Sequence, residues 1–160
     1  MTSPRRRPLP WFLLLLIGIG TLAAQPAGSV AQTRRPMTPR DLWAMGRVAA
    51  ATLSPAGDRI AYTVTRYDAK TFKGRTDVWV VPVAGGEAVQ LTHGSASASS
   101  PSWSPDGKSI AFVMADANGD GQVQLVSAAG GEPKALTKVA GGVGGPLVWS
   151  RDGRTLLFTS

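Results

Sequence analysis

From residue 53 onward the sequence copies itself. Leu53-Ser54-Pro55-Ala56-Gly57-Asp58-Arg59-Ile60-Ala61-Tyr62 returns as Trp103-Ser104-Pro105-Asp106-Gly107-Lys108-Ser109-Ile110-Ala111-Phe112. It returns again as Trp149-Ser150-Arg151-Asp152-Gly153-Arg154-Thr155-Leu156-Leu157-Phe158. The serine of the motif recurs after 50 and then after 46 residues. A second motif lies between these copies: Val78–Thr92 (VWVVPVAGGEAVQLT) matches Val123–Thr137 (VQLVSAAGGEPKALT), displaced by 45 residues. Two motifs in one order at nearly one period mean that a single supersecondary unit is used repeatedly.

Each unit decodes into four short strands. In Ser-Pro-Asp-Gly the proline presets the first corner of a tight turn, the aspartate bonds back to the backbone, and glycine accepts positive φ. Ile110, Phe112 and Met114 then alternate with smaller residues, the period of a half-buried strand. Val78–Val83 reads as the third strand, Gly85-Gly86 and Gly130-Gly131 as hairpin turns, and Ala88–Thr92 as the fourth strand. Four strands in a repeat of this length describe a β-propeller blade. The fold class is therefore all-β, a β-propeller fragment of four-stranded antiparallel blades. Blade 1 is assigned to residues 53–102, blade 2 to 103–148, and the start of a third to 149–160. Leu53, Trp103 and Trp149, just before each turn, are expected to fill the space between adjacent blades. Ala56 and Arg151 depart from Pro-Asp-Gly and are expected to weaken their turns. A propeller closes with about 4–8 blades, so two blades and part of a third are expected to be a fragment of a longer protein or a truncated reading frame.

Composition enters at the N-terminus. The chain of 160 residues has a net charge of +7, but its first 40 residues hold six arginines and no acid. Residues 41–160 carry 11 basic and 10 acidic groups, which removes the electrostatic case for nucleic acid. Arg5, Arg6 and Arg7 precede an uncharged run, Trp11–Ala24, and Ser29-Val30-Ala31 fits the small-x-small pattern of a cleavage site. Residues 1–31 read as a secretory signal peptide; the run is short of the roughly 20 apolar residues that span a bilayer, which disfavours an uncleaved anchor. The mature chain is expected to start at Gln32, outside the cytoplasm, secreted or periplasmic. It meets the membrane only through the signal peptide.

Residues 32–52 form a linker and a short helix. Thr38 can cap free amides, Pro39 suits the first turn, and Asp41 places a carboxylate where those amides point. Leu42, Trp43 and Met45 give the helix an apolar side that packs onto the next domain, and Gly46 is expected to end it.

The Trp-Ser-Pro-Asp-Gly-Lys-x-Ile-Ala-Phe pattern resembles the blade motif shared by TolB-type propellers and the N-terminal propellers of prolyl oligopeptidase-family serine peptidases. Met37-Thr38-Pro39-Arg40-Asp41-Leu42-Trp43 looks like the helical lead-in of the acylaminoacyl-peptidase and dipeptidyl-peptidase members. Leu53-Ser54-Pro55, Ile60-Ala61-Tyr62 and Val78-Trp79-Val80-Val81 match their first blade. A TolB-type protein, a non-enzymatic periplasmic propeller that binds proteins or peptides, is the alternative. It carries a separate α/β domain before the propeller, and about 20 residues between signal and first blade are too few for one. The resemblance implies a propeller that gates peptide access to a C-terminal α/β-hydrolase domain with a Ser-Asp-His triad. The nucleophile there lies in Gly-x-Ser-x-Gly, which this chain lacks. No catalytic residue is carried over; peptide substrates are implied only through that missing domain.

No cofactor-binding or metal-binding residue is assigned. Cysteine is absent and His93 is the single histidine, which excludes disulfides, thiol nucleophiles and imidazole clusters. His93 follows the fourth strand as a solvated loop residue. Asp116, Asn118 and Asp120 with Gly121 imitate the opening of a calcium loop, but position twelve is Ser127 where a bidentate Glu is needed. The loop therefore reads as an exposed hairpin. Ser95–Ser102 reads as a blade-to-blade crossing, and Lys134 and Lys138 as strand-edge charges that discourage aggregation.

Overall fold

Three turns set the strand order. The computed structural model describes residues 35–160; the proposed signal peptide, Met1–Ala31, lies outside them. In each turn the serine N–H reaches five residues forward: Ser54 to the Arg59 carbonyl at 2.8 Å, Ser104 to Ser109 at 2.9 Å, Ser150 to Thr155 at 2.9 Å. The closing glycine sits at φ 72, 67 and 69° at Gly57, Gly107 and Gly153, where a β-carbon would be strained.

The first turn joins β1 (Arg47–Leu53) to β2 (Arg59–Tyr67), and β3 (Gly74–Pro82) and β4 (Val89–Gln90) complete a four-stranded antiparallel sheet in sequence order. The second sheet repeats it with β5 (Ala98–Trp103), β6 (Ser109–Ala115), β7 (Gly121–Ser127) and β8 (Lys134–Ala135). A third begins with β9 (Gly144–Trp149) and β10 (Leu156–Thr159). Each sheet thus starts one strand ahead of the turn by which the repeat is recognised.

The crossing is shorter than Ser95–Ser102 suggested. Its second half is strand β5, whose Ala98, Pro101 and Trp103 are buried. Serines hid that strand, because backbone pairing with β6 rather than side-chain propensity holds it. A bulge between Ser99 and Ser102 places Ser100 at φ 54°, and the equivalent bulge in β1 places Ala50 at φ 48°. The fourth strands are only two residues long in both sheets, although Leu91 N–H still reaches the Val78 carbonyl at 2.8 Å.

The sheets stack face to face, with the first strands β1, β5 and β9 side by side. One core fills the first junction: Ala61, Val78, Val80 and Leu91 meet Trp103, Ile110, Phe112 and Val126. A second fills the next, where Ala111, Val113 and Val123 meet Val143 and Leu147. The strand β6 is therefore buried on both faces, not on one. Ile110 and Phe112 belong to the first core, and Ala111 and Val113, on the alternate face, line the second. At that junction Val143 N–H bonds the Gly121 carbonyl at 2.7 Å, and a β-carbon on Gly121 would come within 2.6 Å of the Val143 oxygen. Only glycine allows so close an approach.

The helix α1 (Pro39–Ala44) carries the expected cap. Thr38 N–H donates to Asp41 Oδ2 at 2.7 Å, and Asp41 N–H reaches back to Thr38 Oγ1 at 3.4 Å. Six residues cannot hold a helix unaided. Trp43 anchors it, lying edge-on to Tyr67 and Phe72 with ring centres 5.6 and 5.8 Å away. Among the described residues no helix is long and apolar enough to cross a membrane.

Candidate functional site

The serine–proline turns and the Gly-Gly hairpins share one end of the strands, and the most organised polar chemistry gathers there. Ser104 Oγ donates to Asp106 Oδ1 at 2.6 Å while accepting the Ser109 N–H at 3.0 Å. Ser150 repeats both bonds, to Asp152 at 2.6 Å and from Thr155 at 2.9 Å. Blade 1 has Ala56 at the aspartate position, yet its turn is intact. Asp58, two residues later, takes the carboxylate's place and accepts from Ser54 Oγ at 2.7 Å. The expected weakness at Ala56 is thus compensated, and Arg151 likewise leaves the Ser150 bonds in place. The serine hydroxyls hold the carboxyls of Asp58, Asp106 and Asp152 below the usual carboxylate range.

Between the sheets, tryptophan and arginine close the first junction. Trp103 Nε1 donates to the Thr52 carbonyl at 3.1 Å. The Arg59 guanidinium lies 5.2 Å over the Trp103 ring and donates to the Gly107 carbonyl at 3.1 Å. At the second junction Trp149 Nε1 reaches the Ser102 carbonyl at 3.4 Å, but Ser109 stands where Arg59 stood. A groove of about 490 Å³ opens there, lined by Pro105, Asp106, Trp149, Arg151 and Asp152 among others. Trp103 and Trp149 fill the junctions as expected. Leu53 does not: it is 57% exposed, since no described sheet stacks on its side of blade 1. The groove went unnoticed in the sequence, although aligning the repeats puts Arg59, Ser109 and Thr155 in one register.

At the other strand ends a second polar unit recurs. Thr92 Oγ1 accepts the Val78 N–H at 2.9 Å and sits 3.3 Å from Asp77 Oδ1, and Thr137 serves Val123 and Gln122 in the same way. Asp77 is buried, and Arg75 neutralises it at 2.8 Å. This unit ties the fourth strand to the third, which explains why two paired residues suffice for β4 and β8.

His93 is exposed in the crossing after β4. Asp116 spends Oδ1 on the loop's own amides, Asn118 N–H at 2.8 Å and Asp120 N–H at 3.1 Å, closing the β6–β7 hairpin. Among the described residues no three His, Asp or Glu side chains gather as a metal site. Lys134 lies exposed on the outer strand β8, and Lys138 is exposed just beyond it.

Comparison with known proteins agrees with this architecture. The family model of the TolB β-propeller domain matches residues 42–160. The chain is 35% identical over 124 residues to YuxL of Bacillus subtilis, described as an uncharacterized peptidase, covering 77% of this chain and 19% of that one. It is 35% identical over 126 residues to dipeptidyl-peptidase 5 of Porphyromonas endodontalis, covering 78% and 18%. In three dimensions it superposes on the acylaminoacyl peptidase of Pyrococcus horikoshii with a TM-score of 0.59 at 21% identity, over 71% of this chain and 17% of that one. The chain therefore spans about a fifth of the length of the curated relatives it matches.

Proposed function

The chain belongs to the TolB β-propeller domain family, and from that premise we propose that it is the opening part of the propeller of a secreted serine peptidase of the prolyl oligopeptidase family. The identity shared with two relatives named as peptidases carries this reading. Its work would be steric. Stacked blades present a rigid rim that admits short or unfolded peptides to a C-terminal α/β-hydrolase domain and turns folded proteins away. There the peptide acyl group would pass to a serine activated by histidine, and then to water. Met1–Ala31 is proposed as the export signal, with the mature chain beginning at Gln32. The repeat segments 53–102, 103–148 and 149–160, each offset by one strand from the sheet it helps build, would be the first units of the ring.

The test reads the gene beyond the Ser160 codon and assays its product. The expected result is further blades, then Gly-x-Ser-x-Gly, Asp and His in that order. The expressed protein should react covalently with a fluorophosphonate and lose that reaction when the serine is replaced by alanine. A stop codon directly after ring closure would overturn the peptidase reading and leave the alternative, a propeller that binds proteins or peptides. N-terminal sequencing of the exported protein should begin at Gln32.

A further inference from the structure

We propose that Asn118-Gly119, at the tip of the hairpin joining β6 to β7, is a site of spontaneous deamidation, and that Asp116 is the positioning residue that sets its rate. Asn118 is the one asparagine in the chain, and a glycine follows it. Glycine is the neighbour that most favours this chemistry, because it has no β-carbon to keep its nitrogen away from the asparagine side chain. Gly119 sits at φ 89° with nothing within 4 Å of where a β-carbon would stand. The turn is built within residues 116–120. Asp116 N–H donates to the Asp120 carbonyl at 2.9 Å, and Gly119 N–H donates to the Asp116 carbonyl at 3.1 Å.

The reaction consumes only water. Gly119 N gives up its proton and attacks Asn118 Cγ. The new C–N bond closes a five-membered imide as the Cγ–Nδ2 bond breaks, and Nδ2 leaves with that proton as ammonia. Water then opens the imide. Opening at Cγ leaves an aspartate at position 118, whereas opening at the main-chain carbonyl leaves an isoaspartate, with one more carbon in the backbone. Either product sets a further carboxylate between Asp116 and Asp120. In the folded turn the attacking nitrogen is engaged elsewhere, since its hydrogen goes to the Asp116 carbonyl. Asp116 Oδ1 holds that arrangement by accepting Asn118 N–H at 2.8 Å and Asp120 N–H at 3.1 Å, one bond on each side of the reacting nitrogen. The carboxylate thus fixes the peptide groups that must rotate before Gly119 N can reach Cγ. Deamidation proceeds from the opened turn, at a rate set by how often the turn opens.

The experiment incubates the full-length protein at mildly alkaline pH, digests it with trypsin, and follows the peptide Ser109–Lys134 by mass spectrometry, with enzymatic methylation to count isoaspartate. Conversion at Asn118 should occur in the folded protein, about tenfold more slowly than in the same peptide cut free before incubation, the factor that the side-chain hydrogen bonds of the turn supply. Asp116→Ala should bring the folded protein close to the rate of the free peptide while its melting temperature changes little. Asp116→Ser keeps a hydroxyl that can accept the amides and should stay nearer the native rate. No conversion in the folded protein, a folded rate equal to that of the free peptide, or an unchanged rate in a folded Asp116→Ala variant would each overturn the proposal. Were Asp116→Ala not to fold, the ratio of folded to free-peptide rates would decide alone.

Discussion

The Trp103 indole N–H donates to the Thr52 carbonyl at 3.1 Å, across the junction between the first two sheets. Thr52 lies just after the bulge of β1, where pairing with β2 resumes. The indole thus ties two sheets together while its ring fills the space between them. Trp149 makes the equivalent bond to Ser102 with less of its ring covered.

Trp103→Phe keeps a ring under Arg59 but removes the N–H and some volume, and should cost about 1–2 kcal/mol. Trp103→Ala should cost about 3–5 kcal/mol, the range for truncating a buried aromatic residue. Urea unfolding measures both; equal losses in the two variants would show that the volume of the ring contributes little.

Asp58 replaces the carboxylate that Ala56 cannot supply, so the two positions should be coupled. Asp58→Ala should lower the melting temperature by freeing Ser54 Oγ from its acceptor. Adding Ala56→Asp should restore most of it by rebuilding the geometry of the Asp106 and Asp152 turns. Additive behaviour of the two changes would mean that Asp58 acts elsewhere.

The same carboxylates set the acid limit. Asp58, Asp106 and Asp152, and Asp68 through the Thr71 and Lys70 amides, titrate below the usual value of 3.8 when folded. A depressed folded value contributes stability above the unfolded pKa and loses it as pH falls through the folded one. Stability should therefore hold to about pH 4 and fall below it. Replacing Asp58, Asp106 and Asp152 together by asparagine should lower stability at pH 7 and flatten the acid limb. An acid limb unchanged in that variant would show that the turns do not set it.

How far the sequence reveals this fold depends on which residues carry the information. The turns were legible because proline, aspartate and glycine each answer a local backbone need, as were the Thr38 cap and the interblade tryptophans. Strand β5 was not, since Ala98–Trp103 is mostly serine and alanine and is held by its partner. The rescue by Asp58 depends on a side chain reaching the vacant place from two residues away. Arg59 reaches Trp103 of the next sheet, a pairing between repeats that the likeness of one repeat to another does not reveal.

The second face of β6 gives the sharpest contrast between the two levels. Alternation of Ile110, Phe112 and Met114 with smaller residues suggests a strand whose other face meets water, where Ala111 would tolerate a charge. In the structure Ala111 is 0% exposed and packs with Val113, Val123, Val143 and Leu147. Its small size is what lets the third sheet approach. Ala111→Asp would bury a carboxylate with no counter-charge, at a cost of several kcal/mol. The cooperative unfolding transition should be lost, or its midpoint should drop steeply. Val83→Asp, in the Gly-Gly hairpin of the first sheet at a position 52% exposed, should change stability by no more than about 0.5 kcal/mol. Equal tolerance of both substitutions would mean that the third sheet does not stack on the second in solution.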